Sequence, residues 1–106
     1  VSGFPIVGLV DTDPGVIGKT INGLKVKNLQ QLEELVSETS AVLGIVTTPA
    51  TAAQEVVDCL VKAGIRSILN FAPVVVDVVA EVEVRKVDLA TELQILGYYD
   101  HLRKFD

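Results

Sequence analysis

Polar and turn-forming residues follow three apolar stretches of the sequence, and these residues have the side chains best suited to binding a ligand. The three groups are Asp11, Thr47-Thr48-Pro49 and Asn70-Phe71-Ala72-Pro73. A carboxylate such as Asp11 can accept hydrogen bonds from two sugar hydroxyls. The second group stands where a helix is expected to begin, and the free amides and dipole of a helix N-terminus suit a phosphate or the edge of an adenosine.

The first two of these groups also have a purely structural interpretation. Asp11 can form an Asx turn, and Asp13-Pro14 nearby can fill that turn role instead. Pro49 is an ordinary residue at the start of a helix. Spacing alone therefore leaves both interpretations open.

Residue types that would support catalysis or metal binding are few. His101 is the single histidine and has no serine or cysteine partner at a recognisable spacing, so we interpret it as a solvated residue. Cys59 is the single cysteine and lies among apolar neighbours, which favours a packing role. One histidine and one cysteine make no metal-ligand set, and the eight glycines include no G-x-G-x-x-G motif. We expect no catalytic and no metal-binding residues.

The elements that must position the three groups alternate between strand and helix. Apolar runs predict three buried strands, over 6–10, 41–46 and 65–69. Two further strands are expected, a short one around Lys25-Val26 and one within 81–87. Such alternation is typical of an α/β fold with a parallel sheet. Ligands bind such sheets beyond the carboxyl ends of the strands, where all three groups stand.

Capping signals predict where the helices begin. Asn28 with Gln31 and Thr51 with Gln54 both have the spacing of a capping box. The second helix is expected to end at Lys62 or Ala63, with Gly64 as its left-handed stop.

A last helix is predicted from Asp88 to about Lys104, and its apolar side changes along its length. Leu89, Leu93 and Leu96 share one side, whereas a second set lies roughly opposite. That set is Ile95, Tyr98, Tyr99, Leu102 and Phe105. Because a straight helix cannot easily face one small core on both sides, we favour a partner subunit or another domain over a second surface of the same domain.

Composition narrows the class of protein. The chain has 106 residues, 49% of them apolar, and its mean hydropathy of +0.46 predicts one domain with a sizeable core. A net charge of −5 argues against nucleic-acid binding by these residues. A single cysteine fits a reducing, cytoplasmic location, and no uncharged apolar run is long enough to span a membrane. The start at Val1, close to a predicted strand, suggests a piece of a longer protein.

Four strings resemble the redox-sensing transcriptional repressor family Rex. They are LVDTDP, GIVTTPATAAQ, AGIRSILNFAPV and VDLATELQILGYY. The resemblance covers nearly the whole chain. It implies a winged-helix DNA-binding domain, a Rossmann domain that distinguishes NADH from NAD⁺, and a carboxy-terminal helix exchanged between two subunits. In that family NADH lowers the affinity for operator DNA.

The resemblance also implies roles for individual residues. Asp11 would bind ribose, Thr47-Thr48-Pro49 would line the adenosine side, and Asn70-Phe71-Ala72-Pro73 would lie near the nicotinamide. Coupling and dimer contacts would come from Asp88, Leu89, Leu93, Tyr98, Tyr99 and Leu102. The family's Thr-Val-Pro at the middle group is Thr-Thr-Pro in this chain, which would alter the adenosine wall.

The expectation is therefore an incomplete Rossmann-like parallel sheet flanked by helices, with a protruding C-terminal helix. Residues 1–87 would form a partial NAD(H)-binding domain that lacks its first β-α unit, and 88–106 a swapped dimerisation helix. The intact homodimer would bind NAD(H), and operator DNA through a winged helix not present in this chain. The chain alone would bind NAD(H) weakly or not at all. The alternative is a CoA- or NAD-binding domain fragment of an enzyme such as an acyl-CoA ligase.

Overall fold

The computed structural model describes residues 4–88 together with Leu96, and it has the predicted α/β class. In chain order the elements are β1 (Leu9–Asp11), β2 (Thr20–Ile21), β3 (Leu24–Asn28), a 3-10 turn (Leu29–Gln31), α1 (Leu32–Thr39), β4 (Leu43–Val46), α2 (Ala50–Lys62), β5 (Ser67–Asn70) and β6 (Glu83–Lys86). Apart from the added strand β2, the predicted order of strands and helices within residues 4–88 is confirmed. Within residues 4–88 no helix is long and apolar enough to cross a bilayer.

The strands form two three-stranded groups. In the first, β1 and β2 flank β3, with β1 parallel to it and β2 antiparallel. In the second, β4, β5 and β6 follow one another and are parallel throughout. Among the described residues, β1 and β4 each have a strand neighbour on one side only. The predicted parallel pairing therefore holds, with one antiparallel addition.

The antiparallel strand β2 was not predicted from the sequence. It joins β3 through the two-residue turn Asn22-Gly23, whose φ values of 50° and 82° are both left-handed. Two successive positive φ angles are the geometry of a type I′ hairpin turn, and Asn-Gly is the sequence that favours it. A two-residue strand has too short an apolar pattern to be recognised without this turn.

The first strand is shorter than predicted and less buried. The prediction of 6–10 is wrong at both ends, because β1 pairs with β3 only over Leu9–Asp11. Ile6 is 68% exposed, and no residue of β1 is fully buried. A strand with a neighbour on one side cannot bury both faces as a central strand does.

The helix after β3 begins as predicted. Asn28 Oδ1 accepts a hydrogen bond from the Gln30 amide at 3.0 Å, and Gln31 Oε1 accepts one from the Asn28 amide at 3.0 Å. This is the expected capping box. It caps a 3-10 turn that leads directly into α1.

The second predicted capping box is wrong. Helix α2 already begins at Ala50 after Pro49, and no side chain caps its start. The carboxamide of Gln54 instead donates to the Asp77 carbonyl at 2.9 Å and accepts from the Asp77 amide at 2.8 Å. This pair of bonds, 23 residues apart in sequence, takes the side chain away from the helix start. The predicted end is confirmed, since α2 stops at Lys62 and Gly64 has a φ of 100°.

One apolar core joins the two groups of strands. Its buried members are Leu29, Leu32, Val46, Ala53, Val57, Leu60, Ile65, Ile68, Ala72 and Val82. Two glycines let the helices lie close to the strands: a Cβ on Gly8 would lie 2.6 Å from Leu35 Cδ2, and one on Gly44 2.8 Å from Leu60 Cδ1. Since real Cβ contacts do not come this close, each glycine admits a leucine from the covering helix.

Candidate functional site

The ends of β4 and β5 bring two of the predicted groups together. Val46 and Asn70 are register partners, and the Phe71 amide donates to the Val46 carbonyl at 2.8 Å. Thr47 and Phe71 are the residues that follow β4 and β5, so the chain leaves the two strands side by side. This is the edge at which parallel α/β sheets bind ligands.

Asp11 lies at the corresponding end of β1, in the other group of strands. Its Oδ1 accepts hydrogen bonds from the Thr12 amide at 2.6 Å and from the Asp13 amide at 3.0 Å. No described residue donates to its other carboxylate oxygen, Oδ2. The half-buried side chain thus forms an Asx turn with one oxygen and leaves the second available, so the two interpretations of Asp11 are compatible.

Asp13 has a turn role of its own. Its Oδ1 accepts from the Gly15 amide at 2.9 Å, and its carbonyl accepts from the amides of Val16 and Ile17. Asp11 and Asp13 therefore both form turns in the loop after β1.

Thr47, Thr48 and Pro49 connect β4 to α2 at the same edge. Thr47 and Pro49 are exposed and Thr48 is partly buried, with its hydroxyl donating to the Pro49 carbonyl at 3.2 Å. The start of α2 has no side-chain cap and no acidic residue in its first turn. Its amides and dipole therefore meet no competing carboxylate from the helix itself, which suits a polar or anionic ligand group.

The group after β5 forms a tight turn with alternating burial. Asn70 is 0% exposed and Ala72 1% exposed, whereas Phe71 is half-buried and Pro73 exposed. Both ends of the Asn70 carboxamide bond to the turn itself: Nδ2 donates to the Val74 carbonyl at 2.8 Å and Oδ1 accepts from the Ala72 amide at 2.9 Å. Only Phe71 and Pro73 of this predicted group present side-chain surface to a ligand.

Asp88 follows the strand next to this turn. The Val87 amide donates to the Asn70 carbonyl at 2.9 Å, so the chain passes the end of β5 just before Asp88. Leu89, Leu93, Tyr98, Tyr99 and Leu102, which were predicted to make coupling and dimer contacts, lie outside the described residues. Leu96 is described; it is helical and 62% exposed.

The sequence singled out Gln54 only as a helix cap and did not predict its contact with Asp77. Its two bonds to Asp77 hold the segment that crosses from β5 to β6 against α2. The groove beside this contact lies away from the strand ends. Its lining residues are Asp58, Val61, Lys62, Asp77, Val78 and Val79. A contact between residues so distant in sequence leaves no local pattern by which it could be predicted.

Cys59 lies on α2 and packs partly buried against the core, as predicted. Burial raises the pKa of its thiol above the ordinary value, and the carboxylates of Glu55 and Asp58 raise it further. The thiol is therefore protonated at neutral pH, which makes it a poor nucleophile.

The comparison with known proteins gives one family and a consistent set of relatives. Residues 1–74 match the CoA binding domain family. The chain is 48% identical over 98 residues to the redox-sensing transcriptional repressor Rex of Streptomyces coelicolor, covering 92% of this chain and 38% of that protein. It is 46% identical over 96 residues to Rex of Desulfitobacterium hafniense, covering 91% of this chain and 46% of that protein.

Solved structures agree with these relatives. The fold is similar to the crystal structure of RSP, a Rex-family repressor, with a TM-score of 0.80 and 30% identity over 98% of this chain and 50% of that one. Crystal structures of RSP in complex with NADH, and with NAD⁺ and operator DNA, match with TM-scores of 0.79 and 0.78. The resemblance to the Rex repressors is thus confirmed. The chain spans 38% of the length of the Streptomyces coelicolor protein and 46% of the length of the Desulfitobacterium hafniense protein.

Proposed function

Because the chain belongs to the CoA binding domain family and is similar to the Rex repressors over nearly all of its length, we propose a function for it. It is the NADH-sensing and dimerising part of a redox-responsive transcriptional repressor. The observation that carries the proposal is the 48% identity over 92% of the chain, which includes all three groups of residues at the strand ends. RSP, which is similar in fold, has been crystallised with NADH and with NAD⁺.

The cofactor would lie along the carboxyl ends of the strands. In this proposal the available Oδ2 of Asp11 accepts hydrogen bonds from ribose hydroxyls, and Thr47, Thr48 and Pro49 line the adenosine. The turn 70–73 would then lie at the nicotinamide end, with Phe71 and Pro73 as its accessible side chains. Because the three groups follow the ends of three different strands, the proposed ligand is an elongated one rather than a small one.

The strand order supports an incomplete dinucleotide-binding domain over 1–87. A common doubly wound order is 3-2-1-4-5-6, in which the first strand lies between the second and the fourth. If β1 and β3 of this chain are the second and third strands of that order, the vacant place lies between β1 and β4, each of which has one described strand neighbour. The first β-α unit, with its glycine-rich phosphate loop, would fill that place in the intact protein.

Residues 88–106 would form the helix through which two copies of the intact protein associate. This proposal stands on the change of apolar side between Leu93 and Tyr98 in the sequence, which gives the helix two surfaces to bury. Operator DNA would bind to a winged-helix domain outside this chain. RSP has been crystallised with operator DNA.

An enzyme fragment is the less favoured function. The family name alone would fit a CoA-binding domain of a ligase, but the curated relatives are named as transcriptional repressors. CoA is therefore a ligand to be tested against NAD(H), not a second proposal.

The experiment that tests the proposal is a titration of the full-length protein that carries this chain. We expect NADH to bind more tightly than either NAD⁺ or CoA. We also expect NADH to release the protein from a DNA duplex that has first been selected from a random pool for binding to it. Calorimetry measures the ligand affinities, and a mobility-shift assay measures the release. Preference for CoA, or DNA binding that NADH leaves unchanged, would contradict the proposal.

The chain alone provides the matched control. The 106-residue chain has no G-x-G-x-x-G loop, and so it lacks the helix N-terminus that would bind the pyrophosphate after that loop. We therefore expect the chain alone to bind NADH far more weakly than the full-length protein does. Equal affinity would mean that the first β-α unit is not needed for the cofactor.

A further inference from the structure

Asn70 is a buried polar side chain whose hydrogen-bonding groups are all used within its own turn. It is 0% exposed and is the buried polar residue of the part of the chain that the structure describes. A buried carboxamide must satisfy both its oxygen and its nitrogen, because an unpaired polar atom in the interior is costly. Asn70 does so through the Ala72 amide and the Val74 carbonyl, at 2.9 Å and 2.8 Å.

The backbone of the same residue joins the turn to both neighbouring strands. Asn70 is the last residue of the middle strand β5, and its carbonyl accepts from the Val87 amide at 2.9 Å. The next residue, Phe71, donates its amide to the Val46 carbonyl at 2.8 Å. Asn70 therefore lies where the end of β4, the turn after β5 and the chain leading to Asp88 meet.

Burial closes the Asn70 side chain off from a ligand at the strand ends. The surface that the turn presents comes instead from Phe71 and Pro73, the more exposed residues of the group. The positions of those two side chains depend on the turn, and the turn is held by the carboxamide of Asn70.

We propose that Asn70 is a positioning residue: it does not touch the cofactor, but its carboxamide fixes the turn Phe71–Val74 and thereby the surface that Phe71 and Pro73 offer at the nicotinamide end. The statement about the turn stands on the hydrogen bonds alone. The statement about the nicotinamide rests on the proposed function.

The substitution Asn70→Asp tests this, because it keeps the size of the side chain and its acceptor but removes the donor to the Val74 carbonyl. A carboxylate oxygen would then face that carbonyl oxygen, and the two acceptors repel each other. Asn28→Asp is the matched control: Asn28 also ends a strand and caps the next turn, but its side chain uses only its oxygen, which an aspartate retains.

Hydrogen exchange of the peptide 71–75 reads out the order of the turn in the full-length protein. Loss of one buried hydrogen bond should speed exchange there by about tenfold in Asn70→Asp. In Asn28→Asp the exchange of both the peptide 71–75 and the segment after β3 should stay unchanged. Unchanged exchange of 71–75 in Asn70→Asp would overturn the proposal.

Ligand affinity separates positioning from a general loss of structure. ADP-ribose shares the adenosine, pyrophosphate and ribose of NADH but lacks the nicotinamide. We expect Asn70→Asp to weaken NADH by about tenfold and ADP-ribose by less than about twofold. Equal weakening of both ligands would mean that Asn70 acts on the fold as a whole, and would overturn the nicotinamide part of the proposal.

A second variant keeps the test decisive if Asn70→Asp does not fold. Asn70→Ser keeps a hydroxyl near the Ala72 amide but is too short to reach the Val74 carbonyl, so the same two outcomes apply to it. If the unmodified protein binds no NADH, the proposed function fails, and the exchange of 71–75 alone then decides whether Asn70 holds the turn.

Discussion

Two aspartates build the loop after β1, and their hydrogen bonds distinguish them. Asp11 and Asp13 each accept backbone amides through Oδ1, but Asp11 ends the strand whereas Asp13 lies further out and is exposed. If Asp11 also binds ribose, its second oxygen must do so.

We predict that Asp11→Asn in the full-length protein weakens NADH by about tenfold or more, because the asparagine keeps the turn acceptor but replaces the charged Oδ2 by an amide nitrogen. Fluorescence titration with NADH measures this. Asp13→Asn is the matched control and should leave the affinity within about twofold, since Asp13 is assigned only a turn role. Similar losses in both variants would assign the effect to the shape of the loop rather than to ribose binding.

Residue chemistry could be predicted from the sequence only in part. The types at the strand ends indicated where a ligand would bind, because a carboxylate or a helix start has the same chemistry in any fold. Burial could not be predicted at that level. Asn70 and Pro73 belong to one polar, turn-forming group in the sequence, but one is enclosed and the other exposed.

At the scale of elements, the connection between β5 and β6 differs from the usual parallel crossover. Parallel strands are usually joined through a helix, but residues 71–82 contain none. One of the contacts that hold this segment is the carboxamide of Gln54, which forms two hydrogen bonds with the backbone of Asp77.

Gln54→Ala should therefore lower the free energy of unfolding by about 1–2 kcal/mol, as expected for the loss of two exposed hydrogen bonds to Asp77 and a third to the Asp58 carboxylate. Urea denaturation measures the change. Gln30→Ala is the control, because the Gln30 side chain is exposed and forms no hydrogen bond with the described residues. Equal stability of the two variants would show that the Gln54 contact does not stabilise the crossover.

The order of elements could be predicted because buried strands and amphipathic helices have different periods. Their ends could not, because they depend on partners elsewhere in the chain. The strand predicted over 6–10 begins only at Leu9, where β3 is available to pair with it. The Thr51 and Gln54 spacing looked like a cap, but Asp77 is the actual partner of Gln54.

At the scale of the whole molecule, we propose that two copies associate through the terminal helix. We predict that the double substitution Tyr98→Glu and Leu102→Glu converts the proposed full-length dimer into monomers, because it places two charges on a surface that the proposal requires to be desolvated. Analytical ultracentrifugation measures the mass, and circular dichroism checks that the α/β body stays folded.

Arg103→Glu serves as the control, because it changes a charge on the side of the proposed helix that the sequence pattern predicts to be polar. It should remain dimeric. A double variant that also remains dimeric would show that the second apolar side of the helix is not the subunit contact.

The close approach of Gly8 to Leu35 and of Gly44 to Leu60 has a consequence for how this sequence can diverge. A side chain gained at either glycine requires the leucine above it to shift or to become smaller, since a Cβ would overlap the present position of that leucine. The two positions of each pair should therefore change together among homologues. We expect a change at the glycine alone to lower the stability of the fold, although neither residue is assigned to the proposed ligand site.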